Sequence, residues 1–230
     1  MAIHDRQTRD RERRRQQIIA ASKRVFLSKG ASGATIKDIA DEAELSPGTL
    51  YIYFKNKDEL YASLSIRILK HLNLRLQRVL KNTDLPHDQK MDAVKQALCE
   101  AYDVDPPMLI NLYHLQSSET LENISAELFQ EIMNLSRQCL KTLREIFARG
   151  IQSGNFLNVD PMTITLIIWS MFSGLVLWEE SKRALNPRKD FLKSTVDIAF
   201  EIVGRGIRKQ GADPSRGAGE VIRSSSSSDH

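Results

Sequence analysis

The chain has 230 residues, room for one large domain or two small ones. Its 41% hydrophobic and 27% charged content supplies ample core, and the near absence of period-two Val, Ile and aromatic runs argues against a sheet protein. The net charge of +4 is unevenly spread: residues 1–57 hold 12 Lys or Arg against 7 Asp or Glu, the remainder 21 against 22, so a polyanion partner or a solvated charged helix lies at the N-terminal end.

Taken in order, residues 1–10 read as a flexible polar arm. A first helix follows from Arg11 to Lys29, with Ile18, Ala21, Val25 and Phe26 on one face and Gly30 suited to its C-terminal cap. A second begins at Thr35, where Thr35 and Asp38 have capping-box spacing. Ile36, Ile39, Ala40 and Ala43 line its inner face, and it ends near Glu44. Ser46 then caps a third short helix with Pro47 in its first position, and Leu50 and Phe54 turn inward. Asn56 caps a fourth, with Glu59 at its third position and a stripe of Leu60, Leu64, Ile68 and Leu72.

Beyond it, periodicity and start signals predict helices near His87–Tyr102, Pro106–Ser118, Ile124–Ser153, Pro161–Ala184 and Arg188–Gln210. The start signals are Asp105, Asn123, Asp160 and Asn186. Gly150 and Gly154 mark the end of the long middle helix. Residues 211–230, with their serine run, read as a flexible tail. Cys99 and Cys139 have no metal-ligand or disulfide spacing and read as reduced structural thiols. Pro161–Trp178 is free of charge, but its Thr, Ser and Gly content fits a covered core or interface helix better than a membrane span. The N-terminus lacks the apolar stretch of a secretory signal. The expected location is the cytoplasm, with no membrane partner.

The informative unit is Thr35–Lys57. Two short helices joined by only Glu44 and Leu45 must cross steeply, which is helix-turn-helix geometry. Pro47, Gly48 and Thr49 are small and permit close backbone approach to base edges, where Thr49 offers a hydroxyl and a methyl. Tyr51 and Tyr53 point outward, with hydroxyls that reach phosphates. Lys55 and Lys57 supply backbone charge. Thr35 and Lys37 open the second helix, where free N–H groups suit a phosphate. The partner these residues fit is double-stranded DNA.

The stretch ATIKDIADEAELSPGTLYIYFKNKDELYASL closely resembles the DNA-binding domain of the tetracycline-repressor (TetR) family, and the likeness extends back through VFLSKGASGATI. The resemblance implies an all-α fold: a three-helix helix-turn-helix domain over 11–57, followed by a six-helix ligand-binding and dimerisation bundle over 58–210. It implies a homodimer, usually a repressor released from its operator by a small molecule. By the same resemblance Thr35 and Lys37 lie near the DNA backbone and Ser46, Pro47, Gly48 and Thr49 open the recognition helix. Tyr51 matches a phosphate-contacting tyrosine, Tyr53 a position of aromatics or His, and Lys57 a phosphate-contacting lysine. Arg11, Arg13, Arg14 and Arg15 would extend the contact as an arm or remain solvated.

Past residue 65 no motif stands out. Pro161–Ala184 is apolar around most of its circumference and must be covered on several sides. With the last helix it would form a dimer interface through Trp169, Phe172, Ser173, Val176, Phe191, Thr195, Ile198 and Ile202. Tyr102, Asn111, Tyr113, His114, Gln116, Thr163 and Trp169 are candidate anchors in an apolar effector cavity. No phosphate loop, GxSxG, HExxH or metal-ligand cluster is present, so neither catalysis nor a cofactor nor a metal is expected.

Overall fold

The structure is a computed structural model and describes residues 2–104, 123–183 and 192–209. Among these the chain is all helical: α1 (Ala2–Gly33), α2 (Ile36–Glu42), α3 (Pro47–Tyr51), α4 (Lys57–Lys81), α5 (His87–Val104), α6 (Ala126–Gln152), α7 (Pro161–Arg183) and α8 (Leu192–Ile207). The helix expected over Pro106–Ser118 and the tail over 211–230 lie outside the described residues.

α1 starts at Ala2, so the segment expected as an arm is helical from there on. Its charged, straight-chain residues have good helix propensity and bond locally, as where Gln16 Nε2 donates to Glu12 Oε1 at 2.8 Å. At the other end Gly30 takes φ 71° and kinks α1, a conformation that an L side chain resists.

The next three helices are set by their ends. Thr35 accepts from the Asp38 N–H while Asp38 accepts from the Thr35 N–H at 3.0 Å, the reciprocal box expected of this pair. α2 stops in a Schellman turn: Leu45 N–H donates to Ala40 O at 2.9 Å and Glu44 N–H to Asp41 O at 3.1 Å. Glu44 holds the left-handed position at φ 55°, usually filled by glycine. Ser46 caps α3 by accepting from Thr49 N–H at 3.1 Å, with Pro47 in the first turn. Asn56 caps α4 by accepting from Glu59 N–H at 2.8 Å. Ile18, Phe26, Ile39, Leu50, Phe54 and Leu60 are buried together between these helices.

α4 and α6 lie side by side and parallel. Lys70 pairs with Glu131, Asn73 with Gln138 and Gln77 with Thr142, and Arg149 donates to Leu80 O, so the partners advance together along both chains. The sequence expected Asn123 to start α6; Ser125 is the cap, its Oγ accepting from Leu128 N–H. The side-chain amide of Asn56 donates instead to Asn123 O at 2.7 Å, joining the start of α4 to the turn before α6. Cys139 is buried on α6, its thiol donating to Leu69 O at 3.6 Å. Burial pushes the pKa of this thiol up to about 12 and also raises that of Cys99.

α6 ends in a second Schellman turn, with Asn155 N–H on Gly150 O, Gly154 N–H on Ile151 O and Gly154 at φ 75°. Phe156 lies so close over Gly150 that a Cβ there would stand 2.2 Å from its ring atoms. Leu157 and Lys209 then pair the α6–α7 connection with the end of α8.

The structure divides α7 differently from the dimer face expected of it. Ile164, Ile168, Phe172, Ser173 and Val176 turn into the core and Trp169 packs half-buried against it. Phe172, Ser173 and Val176 are therefore not surface residues of this helix. Their stripe meets α6 and α8, whose Phe147, Val196 and Phe200 are equally buried. Leu166, Ile167, Ser170, Gly174 and Trp178 face out instead, and Trp178 is 65% exposed. The reason is geometric: a helix apolar on every side does not announce which stripe its own chain covers. On α8, Thr195, Ile198 and Ile202 are exposed, while Phe191 lies outside the described residues.

Candidate nucleic-acid interface

The capped turn delivers a small convex surface. Ser46, Pro47 and Gly48 are exposed, and Tyr51 follows at 55% exposure. Leu50 beneath them is completely buried, which anchors a helix of five residues that could not persist alone. Thr49 is half-buried and its hydroxyl lies 2.9 Å from Ser46 Oγ, so it presents its methyl and one shared hydroxyl. Gly48 needs no special conformation, and a Cβ there would meet nothing nearer than Ser46 Oγ at 3.8 Å. The protein itself has no reason to keep that position bare.

Three expectations change. Tyr53 follows the end of α3 and is half-buried against the core, whereas the sequence placed it outward with Tyr51. The turn that ends α3 rotates Tyr53 inward and leaves Ile52 at 67% exposure; Ile52 carries no sequence signal for this position, because its apolar character reads as core. Lys57 is half-buried and its Nζ donates to Ala34 O at 3.2 Å, tying the start of α4 to the segment before α2, while Lys55 is exposed. Arg15 turns inward: its guanidinium stands 4.9 Å from the Phe54 ring centroid and donates to Ser63 Oγ at 3.2 Å.

At the start of α2, Thr35 and Lys37 are exposed. The N–H of Thr35 already serves Asp38, whose carboxylate also accepts from Lys29 Nζ at 2.7 Å. The Lys29 hydrogen bond, followed by those from Thr35, lowers the pKa of the Asp38 carboxyl to about 2. The start of α2 is thus partly neutralised from within, and Lys37 is its outward cation.

Tyr102 is buried on α5 and lines a cleft of about 390 Å³ whose wall mixes Cys99, Phe172 and Leu192 with the charged Lys95, Glu100, Asp103, Lys193 and Asp197. Thr163 does not join it: its N–H and hydroxyl both donate to Asp160, which caps α7 at the other end of that helix. Trp169 packs half-buried on the core and is not part of this lining. Asn111, Tyr113, His114 and Gln116 lie outside the described residues.

A short, capped second helix, exposed and small-faced at its start, set in a steep pair and followed by a larger helical body, defines the helix-turn-helix DNA-binding proteins. Family comparison agrees. Residues 18–64 match the model described as bacterial regulatory proteins, tetR family, and residues 87–188 the tetracyclin repressor-like C-terminal domain. The transcriptional repressor DhaR of a Mycobacterium species is 21% identical over 77% of this chain and 88% of its own. Among solved structures, the regulator PfmR of Thermus thermophilus superposes with a TM-score of 0.66 at 20% identity, covering 84% of this chain and 99% of that one. FadR of Bacillus subtilis, solved in complex with stearoyl-CoA, gives 0.64 at 25% identity over 84% and 99%. The chain belongs to the TetR family of DNA-binding transcriptional regulators.

Proposed function

We propose that the chain acts in the cytoplasm as a homodimeric repressor that leaves a near-palindromic operator when a small, largely hydrophobic effector binds its second domain. The observation that carries the DNA-reading part is the exposed start of α3. Ser46, Pro47, Gly48 and Thr49 approach base edges, and Tyr51 and Lys55 hold phosphates. Lys37 touches the backbone beside them and Thr35 positions α2. Tyr53 and Lys57 act chiefly by fixing the unit, Tyr53 by packing on the core and Lys57 through its bond to Ala34 O. Base-edge contacts give sequence choice; phosphate contacts give register and affinity.

Dimerisation runs through the outward faces of α7 and α8: Ile167, Ser170, Gly174 and Trp178, with Thr195, Ile198 and Ile202. Only 33% of the apolar Pro161–Glu179 window is buried within one chain, and a second copy is the simplest cover for the rest. Ser170 and Gly174 allow close helix approach.

The effector site is the cleft beside Tyr102 and Phe172. The bound acyl-CoA of the Bacillus subtilis FadR structure supports an elongated apolar ligand. Such a ligand shifts the dimer only by its differential affinity for two shapes, one with recognition helices about 34–36 Å apart and one without. The parallel α4–α6 pair and the Asn56–Asn123 bond give the second domain a rigid connection to the first.

Sedimentation of wild type and of Trp178→Glu/Ile202→Glu, each titrated with a duplex selected from a random pool, tests the reading. The expected result is a wild-type dimer on a two-fold symmetric site and a folded monomeric variant with at least tenfold weaker binding. A wild-type monomer, or a dimeric variant that binds normally, refutes it. Thermal stabilisation by long-chain acyl compounds, abolished in Phe172→Trp, tests the effector arm.

A further inference from the structure

The parallel pair α4 and α6 carries an outer face of one charge. The two helices meet through Asn73 and Gln77 on α4 and Gln138 and Thr142 on α6. Each residue turns a helix by about 100°. In a parallel pair, the residue after a contact on one helix and the residue before a contact on the other therefore turn to the same side. On that side α4 presents Arg67, Leu74, Arg78 and Lys81, and α6 presents Arg137, Lys141 and Arg144, all exposed. No Asp or Glu falls on either stripe. None of these six cations pairs with a carboxylate among the described residues; the neighbouring Lys70 and Arg149 are the ones that pair, with Glu131 and Glu145.

Residues 58–230 as a whole hold 21 Lys or Arg against 22 Asp or Glu, so the face is a segregation of charge and not part of a general excess. The helix dipole accounts for Arg78 and Lys81 in the last turn of α4. It does not account for Arg67 or the cations of α6, which lie inside their helices, where Arg137 and Lys141 repel one another at i, i+4 spacing.

Amid these cations Leu74 is 52% exposed. A phosphate chain has no use for an apolar side chain at the centre of its footprint. A protein segment does, because apolar anchors at the middle of an interface are ringed by polar contacts. From Arg67 to Lys81 the face runs about 21 Å, four turns of a docked helix. It starts roughly 15 Å along α4 from Lys57 and flanks the second domain, away from the exposed start of α3.

We propose that this face of α4 and α6 docks an acidic amphipathic segment of a partner protein, its carboxylates against the six cations and an apolar side chain on Leu74. The inference is independent of the effector reading.

The test uses the full chain and a labelled helical peptide of about 20 residues, glutamate throughout except for leucines along one face. A second peptide has glutamine in place of each leucine. Anisotropy titrations compare wild type, Arg137→Glu/Lys141→Glu/Arg144→Glu and Leu74→Gln with Arg11→Glu/Arg13→Glu/Arg14→Glu, which makes the same charge change on exposed positions of α1. Thermal melts confirm that each variant folds, and Arg137→Gln/Lys141→Gln/Arg144→Gln replaces the reversal on α6 if that variant does not. The leucine peptide is expected to bind wild type and the α1 variant alike. It should bind at least about tenfold more weakly to the α6 variant and at least about threefold more weakly to Leu74→Gln. Wild type that does not bind the leucine peptide overturns the proposal, as does an equal loss in the α1 variant. Equal binding of the leucine-free peptide, or of a mixed-sequence duplex with the same loss in the α6 variant, also overturns it, because the face would then take any polyanion.

Discussion

Gly48→Ala separates what α3 needs for folding from what it needs for DNA. The new Cβ meets nothing nearer than 3.8 Å and Gly48 is not among the residues at positive φ, so the folded chain accepts it. Alanine is the better helix former, which near a helix start is worth about 0.5 kcal/mol. In a chain of this size that raises the melting temperature by about 1–2 °C. Against DNA the sign reverses. If the α3 backbone lies against base edges, a methyl forced into that contact costs about 1–3 kcal/mol, or roughly 5- to 150-fold in operator affinity. Binding to mixed-sequence DNA at low salt, carried by phosphates, is unchanged. Thermal melts and anisotropy titrations on both duplexes measure the two effects. A variant at least as stable as wild type that binds the operator equally well refutes the placement of Gly48 at the bases.

Three further outcomes concern the frame. Asp38→Asn removes a carboxylate whose depressed pKa of about 2 means that it stabilises the fold in full above its ordinary value and ceases to do so as pH falls through about 2. The gap in melting temperature between wild type and variant is therefore level above about pH 5 and closes on acidification; a gap that widens in acid contradicts the Lys29–Asp38–Thr35 arrangement. Gly150→Ala drives a Cβ into the buried Phe156 ring at 2.2 Å and costs at least about 2 kcal/mol, read as a lower denaturant midpoint at constant slope. Cys139, its pKa held near about 12 by burial, stays unreactive toward an aromatic disulfide reagent at about pH 8 and reacts on unfolding; rapid labelling of the native protein would show that α4 and α6 part readily.

Sequence alone determined the helix-turn-helix because its determinants are local. A capping box lies within four residues, and Ser46, Pro47 and Asn56 act on the turns that they begin. Gly30 and Gly154 take the positive φ that their positions require. Such signals survive in one dimension, and the family resemblance rests on the same residues. Tertiary structure alone decided which side of α7 is inside, since apolar residues surround that helix and only the neighbouring α6 and α8 select a stripe. It decided that Tyr53 packs while Ile52 protrudes, because the turn closing α3 breaks the helical register. It also decided that Arg15 turns to Phe54, and that Thr163 donates to the α7 cap Asp160 and does not line the cleft beside Tyr102. A side chain's chemistry is written in the sequence; the direction it faces is settled by what the rest of the chain brings against it.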